Sequence, residues 1–150
     1  MKLAKNARVD LLRSVWLFAS CSGRELNQVA TLAEVREVEA GTRLTREGDA
    51  HREFIVIVEG KAEVDKHGQL LSTLGPGDFV GEMSLLDRKQ RVATVTAIEP
   101  STVLVMTAAS FELLMRDQPT FVRNLLTVVS RRLRDVQTRL VTPTLGRSAD

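Results

Sequence analysis

The sequence predicts a mainly β domain, an antiparallel β-roll or jelly-roll barrel with helices before it and a long helix after it. Three observations lead there. Up to Ala33 the apolar residues recur at helical spacing. Between Val35 and Met106, short β-branched and apolar runs alternate with turn residues at Gly41, Gly48-Asp49, Gly60, His67-Gly68, Gly75-Pro76-Gly77-Asp78 and Glu99-Pro100. From Ala108 the helical spacing returns. About eight short strands with no strand–helix alternation fit an antiparallel roll rather than a parallel sheet.

The elements follow in order. Leu11, Leu12, Val15, Trp16 and Phe18 predict a short opening helix packed on the core. Ser22-Gly23-Arg24-Glu25 is a capping box: the Ser22 hydroxyl accepts from the amide three residues on, and Glu25 reaches back. Leu26, Val29, Ala30 and Ala33 then form one apolar helix face. Lys61 to Asp65 alternates charged and apolar residues, as a half-buried strand does. In a second alternation, Ala93, Val95 and Ala97 face one way while Thr94 and Thr96 face the other. Phe111, Leu114 and Met115 open a further helix, and Gln118-Pro119 breaks it, because proline disfavours helical geometry at the residue before it.

A longer helix is expected from about Thr120 to Val141. In it Val122, Val129 and Val136, and in parallel Leu126, Leu133 and Leu140, recur every seven residues, which makes a heptad seam. The seam reads either as a core-facing stripe or as the contact of a homodimer, and dimerisation through this helix is the expectation. Residues 1–141 are expected to form one domain. Thr142 to Asp150, polar and carrying Pro143 and Gly146, are expected to be a flexible tail or linker.

Composition narrows the function. The 150 residues suffice for one self-sufficient core, and 43% hydrophobic with 27% charged residues is a globular balance. Apolar runs such as Phe54 to Val58 are too short to span a bilayer, and the first eight residues lack the apolar core of a secretory leader. A single cysteine, Cys21, cannot form an internal disulfide, and a cytoplasmic location is expected. The net charge of +2 gives no overall field for nucleic acid, and five Phe, one Trp and no Tyr are too few for a base-stacking surface. Arg131, Arg132, Arg134 and Arg139 are read as a solvated helix face.

The chemistry concentrates between Gly75 and Val95. Glycines let the backbone approach a ligand closely, and Gly81 leads into a short segment, Met83 to Leu86, able to form one helical turn. A helix start offers free amides to an anion. Arg91, nine residues after Glu82, brings a guanidinium fork that pairs with phosphate oxygens, and a carboxylate beside it accepts from a sugar hydroxyl. Together these describe a pocket for a sugar phosphate.

The segment Gly81-Glu82-Met83-Ser84-Leu85-Leu86, the loop Asp87 to Gln90, and Arg91-Val92-Ala93-Thr94-Val95 closely resembles the phosphate-binding cassette of the cyclic nucleotide-binding domain family. Val15-Trp16-Leu17-Phe18, the turns at Gly41, Gly48 and Gly60, and the long last helix fall where that family has its first helix, its glycine turns and its hinge and lid. The resemblance implies these roles. Glu82 accepts the ribose 2′-hydroxyl and Arg91 pairs with the cyclic phosphate. The backbone amides of Gly81, Ser84 and Val92 complete the cradle, with Met83 and Ala93 beside them. Val92 departs from relatives that carry Ser or Thr there; loss of that hydroxyl tilts the expectation to cyclic AMP, with cyclic GMP the alternative. Leu133, Val136 and Gln137 are candidates to cap the base.

No enzyme is expected. Ser84 stands outside any nucleophile-elbow pattern, His51 and His67 lie in no metal-ligand cluster, and about ten residues after Leu140 are too few for a DNA-binding helix-turn-helix. Three further readings stay open: a regulatory piece of a longer effector protein, a cassette without ligand that serves dimerisation or protein interaction, and an enzyme, for which no motif speaks.

Overall fold

In a computed structural model the structure describes residues 5–48, 52–87 and 93–149. Three helices come first: α1 (Lys5–Arg13), α2 (Trp16–Ala19) and α3 (Gly23–Leu32). Eight strands follow: β1 (Glu34–Val38), β2 (Arg43–Thr45), β3 (Glu53–Glu59), β4 (Ala62–Lys66), β5 (Gln69–Leu74), β6 (Phe79–Val80), β7 (Thr94–Ala97) and β8 (Ser101–Thr107), with the short α4 (Glu82–Asp87) between β6 and β7. Two helices close the chain, α5 (Ala108–Asp117) and α6 (Pro119–Ala149). The strands form two four-stranded sheets, in the orders β1-β8-β3-β6 and β2-β7-β4-β5, and the described pairs are antiparallel. The expected β-roll is what the chain forms.

Strands β3 and β8 explain why Phe54–Val58 and Val103–Met106 are unbroken apolar runs. Side chains alternate across a strand, and here both faces are covered. Phe54, Val56, Val58, Leu104 and Met106 turn to the helices, in one core with Leu26, Val29, Phe111 and Phe121. Ile55, Ile57, Val103 and Val105 turn to the second sheet and meet Ala62 and Val95. A strand buried on both sides cannot show polar alternation. All five phenylalanines belong to the first core: Phe54 touches the rings of Phe79, Phe111 and Phe121, and Phe18 stacks on Phe121 with centroids 5.7 Å apart.

The capping box forms as expected. Glu25 N–H donates to Ser22 Oγ at 3.1 Å and Ser22 N–H donates to Glu25 Oε1 at 2.8 Å. The opening helix does not form as one piece. Backbone bonds at Ser14 and Val15 close α1, and α2 restarts at Trp16, whose side chain stays half exposed beneath the Arg131 guanidinium. At the other end, α6 continues through Pro143 and Gly146 to Ala149, where the sequence suggests a tail from Thr142.

The heptad seam of α6 is not its core face. Phe121, Leu125 and, partly, Val128 pack into the first core, whereas Leu126, Leu133 and Leu140 are 56%, 58% and 71% exposed. The two stripes occupy different sides of one helix.

Gly60 is a backbone position with little tolerance. Its φ is +105°, and a Cβ there would lie 2.0 Å from Ser101 Oγ and 2.8 Å from the Ser101 Cα. At Gly41, φ is +92° but nothing lies within 4 Å. Gly60→Ala should therefore cost about 3–5 kcal/mol in urea denaturation, the range of steric clash added to backbone strain, while Gly41→Ala should cost only about 1–2 kcal/mol. Equal losses in the two variants would show that the Ser101 contact is not what constrains Gly60.

Candidate functional site

A tight turn precedes the site. Gly75 N–H donates to Asp78 Oδ2 at 2.8 Å, Gly77 N–H donates to the Ile57 carbonyl at 2.7 Å, and Ile57 N–H donates to the Asp78 carbonyl at 2.8 Å. These bonds fix β6 on the edge of β3. Gly81 then takes φ +102°, a left-handed conformation that lets the chain leave β6 and start α4 at once. Leu85 N–H donates to the Gly81 carbonyl and its side chain is buried in the helix-side core, so α4 is anchored as the expected short helical turn.

Glu82, the first residue of α4, is only 6% exposed. Arg132 from α6 donates from Nη1 to Glu82 Oε1 at 2.6 Å and from Nη2 to the Phe79 carbonyl at 2.7 Å, and its guanidinium lies 4.3 Å from the centre of the Phe79 ring. A buried carboxylate is tolerable when a cation and hydrogen bonds satisfy it. Arg132 is therefore not part of a solvated face, which corrects the expectation for it. It continues the buried stripe of α6, at spacings of four, three and four after Phe121, Leu125 and Val128. That stripe, followed one turn further, is the signal in the sequence that would have found it.

A cavity of about 580 Å³ opens between the second sheet, the Gly81–Glu82 corner and α6. Of the residues singled out in the sequence, Gly81, Glu82, Ala93 and Val136 line it. Met83 and Ser84 stand in the first turn of α4. Arg91 and Val92 lie outside the described residues. Leu133 and Gln137 are exposed on α6 and are not among the residues lining the cavity. Arg132, Asp135 and Arg139 line it instead, from the same helix as Val136, and Thr45 closes the sheet side with its hydroxyl donating to the Ala93 carbonyl at 3.0 Å.

The junction of α5 and α6 is pinned rather than loose. Gln118 is 1% exposed; its Nε2 donates to the Glu25 carbonyl at 3.1 Å and to Gln28 Oε1 at 2.7 Å. Asn124 donates from Nδ2 to the Leu17 carbonyl and to Ser20 Oγ, both at 2.9 Å. Cys21 packs against the same junction, and burial, with a smaller contribution from the charge of Glu25, pushes its thiol up to about 11. It is a structural side chain, not a nucleophile. His67 pairs with Glu47 at 3.0 Å, and His51 lies outside the described residues. Among the described residues no group of three His, Cys, Asp or Glu could hold a metal ion, and no helix is long and apolar enough to cross a membrane.

Comparison with known proteins places this geometry. The model of the cyclic nucleotide-binding domain matches residues 35–118. A cAMP-dependent protein kinase regulatory subunit of Eremothecium gossypii is 35% identical over 107 residues, covering 71% of this chain and 23% of that protein. The cyclic AMP receptor protein of Thermus thermophilus is 28% identical over 129 residues, covering 83% of this chain and 60% of that protein. The crystal structure of the Thermus thermophilus catabolite activator protein superposes with a TM-score of 0.74 at 28% identity, over 85% of this chain and 62% of that one. The chain thus spans between about a quarter and three fifths of the length of these relatives.

The clamp on Glu82 has a measurable stability. Arg132→Ala removes the cation that α6 contributes to a buried carboxylate; because the Arg132 side chain is itself 36% exposed, the cost should be about 1–3 kcal/mol rather than that of a fully buried pair. Urea denaturation at neutral pH reads it. An unchanged midpoint would mean that Glu82 is satisfied without α6.

Proposed function

The chain belongs to the cyclic nucleotide-binding domain family, and on that footing we propose that it is a cyclic AMP sensor of the cytoplasm whose C-terminal helix closes over the bound nucleotide. The observation that carries this reading is Glu82: a carboxylate at the edge of a cavity of suitable size for a small ligand, fastened from across the cavity by Arg132 of α6. A carboxylate has lone pairs for more than one donor, so Glu82 can accept a ribose hydroxyl while Arg132 orients it. Arg91 supplies the phosphate contact, the amides of Gly81, Ser84 and Val92 complete the cradle, and Met83 and Ala93 flank it. On α6 the base meets Val136, with Leu133 and Gln137 coming within reach if the helix turns. Val92 in place of a hydroxyl residue favours cyclic AMP over cyclic GMP, and the ligand named for two of the relatives supports that choice.

The sensor is proposed to work as a homodimer and to act on a protein effector, within this chain's own longer protein or as a separate partner. The support is the seam of Leu126, Leu133 and Leu140, more than half exposed on a helix whose other stripe is already buried. An apolar heptad stripe of that kind buries itself against a second helix. The same seam sustains the second reading, a module for dimerisation or protein interaction whose cassette holds no nucleotide.

Binding and seam separate by mutation. Arg91→Ala should weaken cyclic AMP binding at least about thirtyfold, a cost of roughly 2–5 kcal/mol. Glu82→Ala should cost roughly 1.5–3 kcal/mol and should narrow the gap between cyclic AMP and its 2′-deoxy analogue. An undiminished gap in Glu82→Ala would assign the ribose to another residue.

Leu133→Asp should halve the mass measured by light scattering. A mass unchanged by this substitution would remove the seam as the self-association surface.

A further inference from the structure

Two arginines of α6 belong to the site already described: Arg132 is clamped on Glu82, and Arg139 lines the same cavity. Arg123, Arg131 and Arg134 do neither. All three are exposed, and they line a second cavity of about 730 Å³ where α6 leaves α5. The floor of that cavity is apolar, Met115 from α5 with Val122 and Leu126 from α6, and none of its lining residues is acidic. Among the described residues no carboxylate is bonded to Arg123, Arg131 or Arg134. Asp117, next to this corner in the sequence, is engaged by Arg116 and Gln28. Arg131 lies over the face of Trp16, its guanidinium 5.2 Å from the ring centre, and Trp16 is itself 48% exposed. Like charges three residues apart on a helix repel each other, and Arg131 and Arg134 are so placed. From Arg123 to Arg134 the stripe runs roughly 16 Å, or about three helical turns.

We propose that this groove docks an acidic amphipathic helix of a partner protein, its apolar side chains on Met115, Val122 and Leu126 and its carboxylates in the forks of Arg123, Arg131 and Arg134. A guanidinium pairs with a carboxylate through two parallel hydrogen bonds, and a helix laid in a groove presents an anchor at each turn. Arginine and tryptophan beside an apolar pocket are the residue types that carry most interface energy. The chemistry favours a helix over a lipid surface, because the apolar floor is recessed between α5 and α6, while the exposed Leu133 and Leu140 line no part of it. The groove shares Leu126 with the seam of α6 but not Leu133 or Leu140, so the two contacts separate by mutation.

Trp16 is the one tryptophan of the chain, and its place beneath Arg131 makes it the reporter. The probe is a tryptophan-free synthetic helix of about 18 residues, with leucine at every turn of one face and glutamate flanking it; its counterpart carries lysine for glutamate. Titrated into the parent protein, the glutamate peptide should bind saturably, change the Trp16 emission and weaken as salt is raised. Arg123→Gln combined with Arg134→Gln, two changes on exposed side chains that leave Arg131 and Trp16 in place, should weaken it at least about tenfold. The lysine peptide should not bind. Equal binding of the two peptides, equal binding by parent and double variant, or no binding of the glutamate peptide would each overturn the proposal. Vesicles of phosphatidylglycerol form a parallel arm: binding to them that the double variant loses, with the peptide inert, would assign the groove to a membrane instead. Binding of the glutamate peptide by Leu133→Asp but not by the parent would assign the groove to a second copy of this chain, and overturns the proposal too.

Discussion

Glu82 cannot sit at 6% exposure on its own, and much of the molecule is arranged around that constraint. An isolated buried carboxylate costs several kcal/mol even after relaxation. The chain meets the cost with an arginine carried on a helix fifty residues away in sequence. To deliver it, α6 must lie across the mouth of the roll, and to hold it there Phe79 offers both a carbonyl and a ring face. Phe79 can do so because it is itself immobile, packed on Phe54. The carboxylate, the last helix and the aromatic core are therefore one mechanical unit.

That unit divides the labour of the fold. The sheet-to-sheet core of Ile55, Ile57, Val95, Val103 and Val105 gives the roll its shape. The phenylalanine core fastens helices to the roll at α2, α5 and the first half of α6. Loss of any one of these rings to alanine belongs to the class of change that costs about 3–5 kcal/mol. The proposed site lies where both cores come to the surface, at a corner built from one left-handed glycine, one short helix anchored by Leu85 and one long side chain seated on Phe79.

Local patterns were legible in the sequence, and contacts across long sequence separations were not. The capping box at Ser22 and Glu25, the alternation at Ala93 to Ala97 and the short turn after Gly81 each depend on neighbours a few residues apart, and each forms. The role of Arg132 depends on where α6 crosses the roll, which no local spacing states, so a solvated face was the natural reading of four clustered arginines. Likewise Gln118-Pro119 reads locally as a joint, because proline does interrupt a helix. The bonds from Gln118 to Glu25 and Gln28, about ninety residues away, turn the same position into an anchor. The heptad seam shows a third case: two apolar stripes share one helix, and periodicity alone cannot say which of them the roll will take.

The central claim is that this corner and α6 form a cyclic nucleotide site that prefers adenine. Isothermal titration calorimetry with cyclic AMP and cyclic GMP on the parent protein tests it most directly. The account predicts saturable heat with one nucleotide per chain and tighter binding of cyclic AMP. Tighter binding of cyclic GMP would contradict the reading of Val92, and no heat from either nucleotide would contradict the site itself.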